Sequence, residues 1–350
     1  MKKIVGIFAA AAVLATSAFA ADVSAKVQLE GNLFKFNADK SISMFDINKP
    51  SDQAWNPIFK TSVGNDKAGA SFGIYTGSLE KEGGWNKAWA TGANNFKVWL
   101  SPMEGLKFIF GNNSFNLNQE HITWSKSDSG IDEQLGYSLN YSANGFSADL
   151  MLVSPISEDK DKDGNFKGYK VSPWMTKADG GDVVINKTGL KLQYGADFGT
   201  VNAILVAENT FKTIKFGAGY ANNFSGINIF ANVLGYLADS DFNKLRVELY
   251  AEGNVDALAW KLFPVVEVYP NGDDKVEALL WARVDYALDG FGIYCQIEDE
   301  GLTKIMKGKA LIVQPGVKGN VGGAAWDVGV KFAIDDPIAV TVPVTISMEF

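Results

Sequence analysis

Large apolar side chains recur at every second position over most of this chain. In "YSLNYSANGFSADLMLV" (137–153), Tyr137, Leu139 and Tyr141 lead into a turn at Ser142 to Gly145. Phe146, Ala148, Leu150 and Leu152 follow it. The same scheme returns at 190–207, 216–233 and 282–297. A period of two puts alternate residues on one face, so each segment predicts strand, short turn, strand. Other hairpins are predicted to turn at Gly64 to Lys67, Ser101 to Gly105, around Gly253-Asn254, and at Gly319 to Gly323. Eight short turns give sixteen strands, and 23–36 and 338–350 add one at each end. The expected count is eighteen, with sixteen as the alternative, because 41–63 and 84–100 are ambiguous.

The connections alternate in length. Between the short turns lie longer polar loops at 37–54, 78–91, 114–133, 155–186, 236–243, 269–275 and 299–308. Two connections on that side are tight, at Glu208 to Thr210 and Asp335 to Pro337. Short turns at one end and long loops at the other fit an antiparallel up-and-down β-barrel that crosses a membrane. No linker or composition shift divides residues 21–350, which form one expected domain.

The two faces differ. Aromatics sit beside the short turns: Tyr141 and Phe146, Tyr194 and Phe198, Tyr220 and Phe224, Tyr286 and Phe291, and Trp326 after the last. Leu, Ile, Val and Ala fill the rest of that face, as in an aliphatic band edged by an interfacial girdle. An exported soluble β protein with aromatic caps on its core is the competing reading. The opposite face is polar. Lys244, Arg246, Glu248 and Tyr250 share it on one strand, Lys261 and Glu267 on the next, and Glu277, Trp281, Arg283 and Asp285 on a third. In lipid such charges must face a wet interior. A barrel this wide cannot be filled by side chains, so a water-filled pore is expected. The bland alternative for any one of these charges is a solvated face without influence on selectivity.

Composition narrows the function further. "MKKIVGIFAAAAVLATSAFA" has a basic start, a short apolar run and an Ala18-Phe19-Ala20 cleavage pattern, so residues 1–20 are an expected secretory signal peptide. Removing Lys2 and Lys3 leaves 30 basic against 40 acidic residues, a net charge of −10, which argues against nucleic-acid binding. Arg246 and Arg283 are the only arginines. Cys295 is the only cysteine, so no internal disulfide forms, and its parity faces lipid. After residue 20 no apolar run reaches 18 residues, so no membrane-spanning helix is expected.

The signal peptide, the repeated tyrosine hairpins and the final "VTVPVTISMEF" together make residues 21–350 resemble a Gram-negative outer-membrane β-barrel of the general porin type. The hairpin "KVWLSPMEGLKFIFG" looks like those of porin-like proteins of spirochaetes. The resemblance implies an outer-membrane location with both termini in the periplasm. It implies passive diffusion of small hydrophilic solutes or ions, with no enzymatic activity and no cofactor. In that class the terminal strand is read by the barrel-assembly machinery, and Val344, Ile346, Met348 and Phe350 match its pattern. Phe350 is thus the candidate insertion signal. Outer-membrane lipid is the implied surround, and a homotrimer is one implied assembly. Pro343 departs from the pattern, because proline removes a donor from the ladder. Pro264 and Pro315 raise the same question. An outer-membrane barrel protease or lipase is the alternative function, but no nucleophile with partners can be assembled around the single histidine.

Two loops carry candidate sites. The third long loop, 114–133, contains Glu120, His121, Asp128, Asp132 and Glu133. In barrels of the resembling class the third loop often enters the lumen, where these side chains could face the basic wall and set up a transverse field. An exposed loop is the alternative. In "DKDKDGNFKGYK" (159–170), Asp159, Asp161 and Asp163 precede Gly164 as the front half of a calcium loop. Lys170 stands where the bidentate carboxylate belongs, so the candidate is weak and a solvated loop competes with it.

Overall fold

The structure is a computed structural model. It describes residues 20–37, 39–47, 59–74, 96–117, 130–154, 156–160, 166–177, 181, 183–239, 241–271, 276–299, 311–334 and 337–349. Among these, the regular elements are all strands. The chain opens with β1 (Ala20–Phe36), β2 (Ile42–Ile47), β3 (Phe59–Gly64) and β4 (Ala68–Ile74). Next come β5 (Lys97–Met103), β6 (Leu106–Asn116), β7 (Gly130–Ala143) and β8 (Phe146–Val153). Two small hairpins stand apart from the main sheet. They are β9 (Ile156–Lys160) with β10 (Phe166–Val171), and β11 (Met175–Lys177) with β12 (Val183–Ile185). The sheet resumes with β13 (Lys187–Ala196), β14 (Gly199–Glu208), β15 (Thr213–Phe224) and β16 (Ile227–Ala238). Then follow β17 (Asp241–Val255), β18 (Leu258–Val268), β19 (Val276–Leu288) and β20 (Phe291–Asp299). The last strands are β21 (Leu311–Val321), β22 (Ala324–Gly329), β23 (Lys331–Ile334) and β24 (Ala339–Glu349).

Every pairing is antiparallel, and neighbours in the sheet are neighbours in the chain, with β8 joining β13 directly. β24 pairs with β1 from Glu349 opposite Lys26 to Val340 opposite Phe36, so the sheet closes on itself. Closure explains why alternation persists to the end of the chain: the terminal strand is a full stave with a partner on each side. The 20-stranded sheet has eighteen staves. β2 and β3 lie end to end along one edge of β1, and β22 and β23 lie end to end between β21 and β24. Eighteen staves about 4.8 Å apart and tilted about 40° enclose a cylinder roughly 35 Å across, too wide for side chains alone to fill.

The prolines sit where the ladder breaks. The break between β22 and β23 falls at Val330, flanked by Pro315 on β21 and Pro343 on β24. The Val330 amide donates to the Pro315 carbonyl at 2.8 Å. On the other edge of β24 a bulge in β1 leaves Leu33 out of register, between the pairs Asn32–Pro343 and Phe34–Val342. The missing Pro343 donor is thus absorbed by two irregularities. Pro264 likewise faces a gap in the β17–β18 ladder, which skips from Glu248–Val265 to Ala251–Leu262. A strand accepts proline at such bulges at little cost.

The eight expected short turns all lie at one rim, and only the one around Gly253-Asn254 is displaced. Gly253 and Asn254 belong to β17, and the turn is Asp256-Ala257, with Asp256 at φ 53°. Gly319 belongs to β21, and Gly322-Gly323 turn with φ 59° and 86°. Glycine serves another purpose at Gly253 and Gly319, which both lie within strands. A Cβ on Gly253 would lie 3.0 Å from the Trp260 ring, and one on Gly319 only 2.7 Å from Trp326. Both are cross-strand pairs in which an aromatic covers a glycine.

The opposite rim also differs from expectation. The 37–54 loop contains β2, and 155–186 contains β9 to β12. The 236–243 loop shrinks to two residues between β16 and β17. The 114–133 loop loses both ends to β6 and β7, which pair through Asn116 and Gly130. Asp132 and Glu133 therefore stand on β7, not in a loop. The expected signal peptide and the segment at 78–91 fall outside the described residues, apart from Ala20.

The outer face is apolar and exposed. Phe108, Phe110, Tyr137, Leu150, Leu192, Val201, Leu205, Val233, Leu249, Leu262, Val284 and Ile293 all point outward from successive staves. Near the short turns Tyr141, Phe146, Tyr194, Phe198, Phe224, Tyr286 and Phe291 are exposed too. Tyr194 stands directly across from Phe146. Cys295 shares this face, as its parity requires.

Candidate functional site

The inner face is built from the alternate residues of the same strands, and it falls into two parts. On β16 to β22 charges and aromatics interlock. Arg246, Glu248 and Glu267 are only 2%, 1% and 5% exposed. The Arg246 guanidinium donates to Glu248 Oε1 at 2.7 Å and to Glu267 Oε1 at 2.6 Å. Lys244 Nζ lies 3.2 Å from the same Glu267 oxygen, and Asn232 donates to Glu248 Oε2 at 2.8 Å. Tyr269 donates to the other Glu267 oxygen. The register causes this clustering, because Glu248 faces Asn232 and Arg246 faces Glu267 across adjacent strands. Buried charges persist only when paired and hydrogen-bonded, and here the carboxylates are supplied with donors from both sides.

Two smaller networks continue this wall. Glu252 accepts from Asn228 at 2.9 Å and from Tyr250 at 3.0 Å, and pairs with Lys261 at 3.3 Å. Arg283 holds Asp285 through Nε and Nη2, both at 2.9 Å, and Lys318 reaches the same carboxylate at 2.6 Å. The Arg283 guanidinium also lies 4.0 Å from the Tyr294 ring centroid, and the Tyr294 hydroxyl donates to Asp327 at 2.6 Å. Glu277 stands opposite Glu267 on β19.

The eight residues expected to line the pore share one strand face, opposite the exposed apolar side chains. Sequence reasoning missed what separates them. Phe230, Tyr250, Phe263, Val265, Leu279 and Trp281 form a buried cluster on that face, with Phe230 stacked on Tyr250 at 4.9 Å. Tyr250 and Trp281 were expected on this face; Phe230, Phe263, Val265 and Leu279 were not. The signal was present: Phe263 and Val265 share the parity of Lys261 and Glu267.

The second part, on β6 to β15, carries the loop expected to enter the lumen. Leu117, just beyond β6, and Ile131, near the start of β7, pack against Met151, Val153, Ile204, Val206 and Leu234 on the inner face. Met151 and Leu234 are fully covered, at 0% exposure. A Cβ placed on Gly217 of β15 would meet Leu117 Cδ1 at 3.0 Å, so this glycine is the socket that accepts the leucine. β7 also touches β14, although β8 and β13 lie between them in the sheet. The stem of the β6–β7 connection is therefore folded inward. Glu120, His121 and Asp128 lie outside the described residues.

In the candidate calcium segment Asp159 is on β9, paired with Gly168 on β10. Asp161 and Asp163 lie outside the described residues, as does Phe350. Among the described residues, no group of three His, Cys, Asp or Glu converges to hold a metal ion.

No protein-family model matches the sequence, and no curated protein does. Among solved structures the chain is similar to a mutant of Rh. blastica porin, with a TM-score of 0.49 and 10% identity over 95% of this chain and 100% of that one. A second mutant of the same porin gives 0.48 and 11% over the same shares. A triple mutant of Rhodopseudomonas blastica porin gives 0.45 and 11%, again over 95% and 100%. The closed barrel described above rests on strand register alone.

Proposed function

We propose that this chain is an outer-membrane channel of the porin type, through which small hydrophilic solutes or ions diffuse down their gradients. One observation carries the reading: a closed cylinder of eighteen staves with large apolar side chains exposed outside and charges inside. A soluble protein does not tolerate so continuous an exposed apolar surface. The twelve residues of β16 extend about 40 Å at roughly 3.4 Å each, which a tilt of about 40° converts to about 30 Å. That height matches the hydrocarbon core of a bilayer.

The remaining parts of the proposal follow from this placement. Residues 1–20 direct export, the short-turn rim and both termini face the periplasm, and outer-membrane lipid surrounds the apolar band. The terminal strand is presented to the barrel-assembly machinery, with Phe350 as the candidate insertion signal. A homotrimer is the proposed assembly. Purified protein in a planar bilayer is expected to give stable, step-like currents. Silence in that assay, with recovery from the soluble periplasmic fraction without detergent, would sink the proposal. Deleting Phe350 is expected to reduce the yield of assembled barrel far more than a one-residue truncation of a soluble protein does. Normal yield would remove Phe350 from the insertion signal.

A further inference from the structure

Behind the inward-folded stem lies a chamber of about 430 Å³, open to the lumen. The stem residues Asn113 to Leu117 form one side, and the inner faces of β6, β7, β8 and β13 form the other. Register aligns its floor: Lys107 faces Asn140, Asn140 faces Asp149, and Asp149 faces Lys191. The side-chain amide of Asn140 donates to Asp149, and Asn113 donates to Ser138 at 2.9 Å. Lys107 is held with its ammonium 5.4 Å from the Trp99 ring centroid. Among the described residues neither Lys107 nor Lys191 closes an ion pair. The cations across the lumen differ, since Lys244, Arg246, Lys261, Arg283 and Lys318 all pair with carboxylates. Asn116 adds a buried amide oxygen without a hydrogen-bond partner.

We infer that this chamber is a binding site for a small oxyanion carrying at least one O–H group. Two ammonium groups against one carboxylate leave a positive excess in a partly enclosed space, where Coulomb attraction exceeds that in bulk water. The ammonium groups have donors to spare, which an oxyanion accepts. The Asn116 oxygen needs a donor, which the O–H supplies. Hydrogen phosphate has both features, whereas sulfate has only the first. The inference deepens the channel reading by naming a solute class, yet binding at the chamber can be measured without any current.

The test is calorimetric titration of the full-length mature protein in detergent micelles with inorganic phosphate, and separately with sulfate. Saturable phosphate binding near one per chain is expected. Combined Lys107→Met and Lys191→Met is expected to weaken it at least about tenfold, each lysine contributing a favourable charge interaction. Lys191→Arg is expected to retain most of it. Circular dichroism and the heat-dependent gel shift of a folded barrel establish that each variant is folded. Absence of saturable phosphate binding by the wild type overturns the inference, and so does equal binding by a folded double variant. Sulfate binding as tight as phosphate overturns the O–H requirement. Step-like bilayer currents from the same preparation test the channel separately, so a working pore without phosphate binding refutes only the chamber.

Discussion

The two halves of the inner wall treat charge in opposite ways. On β17 to β22 each of the five cations named above is tied to a carboxylate, and Arg246 and Glu248 are almost wholly buried. On β6 to β14 Lys187 pairs with Glu208 at 2.8 Å, but Lys107 and Lys191 border a chamber without an ion pair among the described residues. Both regions come from the same alternating pattern. The difference lies in what adjacent strands bring opposite one another. Where Arg246 meets Glu267, charge is neutralised within the wall. Lys107 meets only the neutral Asn140, and Lys191 faces Asp149 without closing an ion pair. A paired wall stabilises the barrel at that level, while an unpaired one leaves field in the lumen.

This contrast can be broken most directly at Arg246. Arg246→Ala leaves Glu248 and Glu267 buried without their main counter-charge, at an expected cost of about 3–5 kcal/mol. Urea titration of the protein refolded in micelles measures it. Replacing Arg246, Glu248 and Glu267 together by apolar residues of similar volume is expected to cost much less, because no charge is then stranded. A cost below about 1 kcal/mol for the single change would falsify the claim that pairing holds this wall.

The socket at Gly217 is the next test. Gly217→Val is expected to cost at least about 1–3 kcal/mol, because its Cβ would lie 2.7 Å from the Val233 carbonyl oxygen and overpack against Leu117 and Leu234. It is also expected to change single-channel conductance, since it displaces the stem from the wall. Unchanged conductance in a folded variant would mean that the stem does not set the open area. Arg283→Lys is a smaller change, about 1 kcal/mol, because lysine cannot hold Asp285 through two nitrogens and stack on Tyr294. Lys107→Met is expected to cost no more than about 0.5–1 kcal/mol, the worth of its contact with the Trp99 ring, since no ion pair is lost. A large loss there would erase the distinction between the walls.

Much of the architecture was legible from alternation. The stave count, the closing strand and the eight-turn rim follow from period two and short polar turns, which are local features. The position of the turn after Gly253 was not legible, nor was the strand role of Gly319. A glycine under a tryptophan on the next strand and a glycine in a turn look the same in sequence. The eight charged positions on the inner face followed from parity, and so did those of Phe263 and Val265, although only a three-dimensional wall shows that such residues form a cluster.

The sequence by itself determined which residues face in and which face out, because a strand has only two faces and each step along it changes sides. It also determined that the final strand must find a partner, since an unpaired edge of that length exposes its backbone donors and acceptors. Only the tertiary structure decided which charges neutralise each other, because pairing depends on register between strands and register sums over bulges, prolines and turn lengths. It alone placed Leu117 over Gly217 and left Lys107 and Lys191 beside a common chamber. Those contacts join positions far apart in the chain, and no local pattern records them.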